Sequence, residues 1–123
     1  MNMRSLASGL QYRGEVEATR QTYYVFEGKR HFFVMSLSRS KHNAGNFNVV
    51  DVDALEHIAD RVGGQKDVTA KAVLKSSRKP QYVSSTFDAL NILYVLVGTR
   101  RAKIDSRFRT RELHFNVKGW TMG

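Results

Sequence analysis

A chain of 123 residues that is 41% hydrophobic can bury one core, and its lack of cysteine excludes a disulfide framework and any thiolate metal site. No apolar run is long enough to span a bilayer and no signal-peptide pattern follows Met1, which fits a cytoplasmic protein. Twenty Lys and Arg against eleven Asp and Glu leave a net charge of +9, an excess that points to nucleic acid or another anionic partner.

Residues 1–14 are polar, show no period, and read as a lead-in. The run Thr22–Phe26 and the run Arg30–Met35 are aromatic and β-branched, and Glu27-Gly28-Lys29 between them supplies a turn, so a hairpin is predicted. Residues 14–19 add a third, weaker strand. Serine, asparagine and glycine make 36–46 a loop and the boundary between a β-rich part, 1–45, and the unit that follows, 46–118. Phe47–Val50 reads as a short strand opening that second unit. Asp51 is then an N-cap, Val50 and Leu55 are spaced as a hydrophobic staple, and Val52, Leu55, Ile58, Ala59 and Val62 form the buried stripe of a helix ending at Gly63-Gly64.

A second, short helix over 68–77 takes Thr69 as N-cap and turns Ala72, Val73 and Leu74 inward. The polar stretch 76–81 and the lone proline Pro80 stop it. Ser84 or Ser85 opens a third helix, with Phe87, Leu90, Leu93, Tyr94 and Val97 as its buried face and Gly98 as a left-handed cap. Two strand-like runs, 101–105 and 112–117, flank an arginine-rich tip, and 119–123 is a tail. Helix, helix, basic hairpin is the element order of a winged helix-turn-helix, and residues 47–118 resemble that family. The fold class expected is therefore α+β: an N-terminal antiparallel sheet packed on a C-terminal winged helix-turn-helix, the two forming one cooperative domain.

Charge is segregated along the chain. Residues 1–50 hold seven Lys/Arg and three acids, residues 51–64 one and four, and residues 65–123 twelve and four. The first helix is thus acidic, and the rest of the unit is basic. Arg107, Arg109 and Arg111 alternate at period two, which in a strand sets three guanidinium groups on one face, with Arg100, Arg101 and Lys103 on the paired strand. Such a row neutralises phosphates and releases counterions. Arg78 and Lys79 precede the third helix, and Ser84, Ser85 and Thr86 begin it, where hydroxyls and free N–H groups suit a phosphate. Asn91 on the same helix is the candidate for an adenine edge.

Those twelve residues carry the expected function: binding of double-stranded DNA by a transcriptional regulator or DNA-targeting subunit, with a homodimer as a further partner. Two alternatives stand beside it. Glu27-Gly28-Lys29 has the Glu-x-Lys spacing of a metal-dependent nuclease strand, with Glu15 and Glu17 upstream, although glycine suits the triplet better to a turn. The winged unit could instead bind a protein. His31, His42, His57 and His114 lack ligand spacing, and no cofactor motif is present. Tyr23, Tyr24, Phe26, Phe32 and Phe33 interleave with Arg20, Lys29, Arg30 and His31, as on a base-stacking platform; the inner face of a sheet is the commoner place for such residues.

Overall fold

The structure is a computed structural model, and it describes residues 10–18, 21–37, 45–105 and 112–119. Four strands come first: β1 (Gln11–Glu17), β2 (Thr22–Glu27), β3 (His31–Leu37) and β4 (Gly45–Asp51). They form one antiparallel meander in chain order. The weak third strand of the sequence is a full edge strand that begins at Gln11, inside the supposed lead-in. The run Phe47–Val50 is also reassigned. It pairs with β3 from Leu37↔Gly45 to His31↔Asp51 and so belongs to the sheet, which moves the boundary of the β-rich part beyond residue 45.

Three helices follow: α1 (Val52–Val62), α2 (Ala70–Ser77) and α3 (Thr86–Gly98), then the short strands β5 (Ala102–Ile104) and β6 (Phe115–Val117). Each helix opens on a side-chain cap. Asp51 accepts from Asp53 N, Thr69 from Ala72 N and Ser85 from Asp88 N. The connection from α1 to α2 is itself strand-like: Val68 and Phe115 exchange both backbone hydrogen bonds at 2.8 Å, and Gly64 N donates to Val117 O. Residues 64–68, β6 and β5 therefore lie side by side. Asn116 ties the three together, accepting from Asp67 N and donating to the Asp105 carboxylate.

One element is common to both halves. α3 packs against all four strands of the sheet on one side and against α1, α2 and β5 on the others. Ala89, Ile92, Leu93, Tyr94, Val95 and Leu96 are all buried, around the whole helix. A helix apolar all round has no solvent stripe, and that is why it sits in the middle. The expected face was too narrow: Phe87 is 58% exposed, while Leu90 and Val97 are only partly covered. Ala72 on α2 also points outward, leaving Val73 as that helix's buried apolar residue.

Gly98 does not act as a left-handed cap. A Cβ there would stand 2.5 Å from Val25 Cγ2, so glycine is what lets the end of α3 press onto β2. Gly14 serves the same approach from β1, where a Cβ would meet the Gly98 carbonyl oxygen at 2.6 Å. The chain turns two residues later, with Arg100 in the left-handed region at φ 64° and the Thr99 hydroxyl donating to Val95 O at 2.8 Å.

The sheet's inner face is aliphatic: Val16, Val25, Val34 and Val50, with Phe32. By strand alternation its outer face carries the larger rings. One row runs Tyr12, Phe26, Phe33, Val49 across the four strands, and the next runs Glu15, Tyr24, Met35, Phe47. The aromatic-rich runs were expected to line the core. Tyr23 and Phe32 do face it, whereas Tyr24, Phe26 and Phe33 face away.

Candidate nucleic-acid interface

The basic surface is built on α2. Lys71 and Lys75 are four residues apart on its outer side, opposite the buried Val73, and Arg78 and Lys79 follow at the helix end. All four are exposed. Between Asp67 and Asp88 the chain holds these four cations and no acid. Lys71 and Lys75 are absent from the sequence-derived candidates, although their i, i+4 spacing opposite Val73 was a legible sign of a shared solvent face.

The turn that follows is ordered by its own backbone. Arg78 takes φ 55° and ends α2, two residues before Pro80 could. The buried Ser77 hydroxyl meets both N and O of Lys79 at 3.3 Å, and Tyr82 N and Val83 N donate back to Lys79 O. The Lys79 ammonium sits 5.7 Å from the centre of the Tyr82 ring. His57 of α1 reaches across to Ser77 O at 2.8 Å, and Arg61 to Ser76 O at 3.0 Å, fixing α2 against the first helix.

At the start of α3 the geometry departs from the expected phosphate cradle. Ser85 Oγ is occupied as the cap, and Ser84 donates from both N and Oγ to Asp88 Oδ2, at 3.1 and 2.9 Å. The Asp88 carboxylate thus stands where the helix end would attract an anion. Thr86 remains exposed beside Phe87. Asn91 is withdrawn from base contact altogether: it is 5% exposed, and its side-chain amide donates to Phe87 O at 3.0 Å. Helical spacing could not foresee this, because α3 is packed on several sides by elements from elsewhere in the chain.

The hairpin cations separate into two sets. Arg101 is held by Glu56 of α1 in a forked ion pair, 3.1 Å at its closer nitrogen. Arg100 and Lys103 line a cleft of about 550 Å³ with Lys118 and Glu17. That cleft lies at the far end of α3 from Arg78 and Lys79. The period-two arginines 107, 109 and 111 lie outside the described residues. On α1, Asp53, Glu56 and Asp60 with His57 line a groove that Lys79 and Tyr82 close, so the acidic and basic faces meet at the α2–α3 turn.

The carboxylates of the nuclease reading are not brought together. Glu27 ends β2 and pairs with Arg13 at 2.6 Å, Glu15 lies on the outer side of β1, and Glu17 lines the cleft with Arg100 and Lys103. Among the described residues no three His, Asp or Glu side chains converge as metal ligands. No described helix is long and apolar enough to cross a membrane. Compared with known protein families, curated proteins and solved structures, the chain matches none of them.

Proposed function

We propose that residues 52–118 form a winged helix-turn-helix that binds double-stranded DNA mainly through its phosphates. The observation that carries this reading is the stripe Lys71, Lys75, Arg78 and Lys79, four exposed cations on one helix and its end with no acid between them in the chain. Each phosphate neutralised by such a row releases counterion. The strand pairing of 64–68 with β6 supports the family assignment, since it gives the order helix, strand, helix, helix, strand, strand. The connection between α2 and α3, residues 78–85, is longer than the three or four residues usual in a helix-turn-helix. Thr86 stays among the candidates for contact because it is exposed at the first turn of α3, the part of a recognition helix that enters a groove. With Asn91 buried and Asp88 at that turn, phosphates rather than base edges are the main ligand.

The test is fluorescence anisotropy with several unrelated duplexes across a salt series. The variant Lys71→Ala/Lys75→Ala/Lys79→Ala should weaken binding to every duplex alike and flatten the salt slope by about 0.9 per lost phosphate contact. Identical curves for variant and wild type would sink the proposal. A second reading, a protein-interaction module, draws on Phe87: an exposed ring beside a carboxylate at the start of α3 suits a protein surface better than a phosphate backbone. Duplex binding that is absent at low salt would put that reading first.

A further inference from the structure

The outer face of the sheet has no covering element among the described residues, yet it is not a polar surface. Antiparallel sheets with one solvated face normally alternate to polar residues there. In the two rows across β1–β4, seven of the eight positions are large and apolar, and the eighth is Glu15. Three of them are among the most exposed large hydrophobic residues described: Tyr12 at 49%, Phe47 at 46% and Val49 at 55%. Rings already associate on this face, Tyr12 with Phe26 edge-on at 5.5 Å and Phe33 with Phe47 stacked at 5.2 Å.

We infer that this face is the interface between two copies of the chain, packed sheet on sheet about a two-fold axis. Two observations choose a second copy over other occupants. The first is charge. Lys29 and Arg30 lie at the β2–β3 end of the sheet, where Glu27 is already paired with Arg13 and Asp51 caps α1, and Glu15 lies toward the opposite end of β1. A two-fold axis lying across the strands sets the basic end of each copy toward the acidic end of the other, twice, whereas an axis along the strands would stack basic on basic. A single-stranded nucleic acid needs cations along the platform to follow its backbone, and Glu15 stands in the platform instead.

The second observation is size. Four strands at about 4.8 Å and six residues at about 3.4 Å make a plane of roughly 20 Å by 20 Å. Closing two such planes removes on the order of 1,000 Å² in total, the lower limit of a specific interface, which suits a weak, reversible dimer rather than an obligate one. The packing would be that of an aligned β-sandwich, with the layers about 10 Å apart. Nothing in this inference depends on the DNA-binding proposal, because α2 lies in the helical layer on the opposite side of the sheet.

Sedimentation velocity of the whole chain from about 1 to 300 μM tests it. Wild type should pass from monomer to dimer. Phe47→Arg and Val49→Lys, both at exposed positions, should each raise the dimer dissociation constant at least tenfold while the monomer keeps a cooperative thermal transition. The orientation has its own check: Glu15→Lys and Lys29→Glu should each weaken the dimer, and the pair together should restore it. A wild type that is monomeric at the highest concentration overturns the inference, and so does a dimer that Phe47→Arg leaves intact. If wild type stays monomeric and Phe47→Arg instead abolishes binding of a fluorescent single-stranded oligonucleotide, the face is a base-stacking platform and the inference fails.

Discussion

Val25 and Gly98 touch where the central helix comes nearest the sheet, and that contact shows how narrowly this core is dimensioned. A methyl at Gly98 would overlap Val25 Cβ and Cγ2, at 2.6 and 2.5 Å, with rigid strand and helix backbone on either side. Gly98→Ala should therefore cost about 3 kcal/mol, the upper part of the usual overpacking range, in urea denaturation. Gly119→Ala is the control: its nearest neighbour, Gly64 Cα, lies at 3.7 Å, so the change should fall within about 0.5 kcal/mol. Tyr94 offers a second residue-scale test. Its ring stacks on Tyr23 at 4.2 Å, and burial, with Tyr23 close by, pushes its phenol well above the ordinary 10.0. Above pH 10 the unfolded chain releases this proton while the native state retains it. The unfolded state then binds fewer protons, and stability falls as pH rises. Tyr94→Phe should lose less stability than wild type between pH 9 and 11, and parallel alkaline titrations of the two would refute this.

Among the elements, α2 combines a strained end with the proposed contact surface. Arg78 holds the left-handed conformation at φ 55° that glycine adopts without cost. Replacing it separates charge from fold. Arg78→Gly should match or exceed wild-type stability, by up to about 1 kcal/mol, while weakening duplex binding as much as Arg78→Ala does. Equal binding by wild type and both variants would remove Arg78 from the interface. α3 behaves differently because its sequence signal is ambiguous. Apolar residues at almost every position from Ala89 to Val97 satisfy several helical faces at once, and the packing decides among them by covering all but the first turn.

For the whole molecule the consequence is cooperativity. The sheet buries its valines on α3, and α3 buries its other sides on α1, α2 and β5, so neither half keeps a closed core alone. Thermal unfolding followed at once by far-ultraviolet and near-ultraviolet circular dichroism should give one midpoint. A fragment spanning 46–123 should lack a cooperative transition, since it exposes the sheet side of α3. Two resolved transitions would show the halves to be independent.

The sequence alone determined the helices, their N-terminal caps and the hairpin order, because these are written in local signals. Asp51, Thr69 and Ser85 each accept from a backbone N–H two or three residues ahead, and α1 shows a stripe with one clear direction. The segregation of acid to α1 and base to the remainder was equally legible. What only the tertiary structure decided concerns faces and partners. A strand's alternation says which residues share a side but not which side is inner, and so Val25 and Val34 went to the core while Phe26 and Phe33 went out. Asn91 has the spacing of a solvent-facing residue, yet it is buried and its amide turns back onto Phe87 O. Gly98 has the position of a cap, yet it is required by Val25, seventy-three residues earlier in the chain. Long-range packing sets each of these outcomes, and it leaves no local periodicity to read.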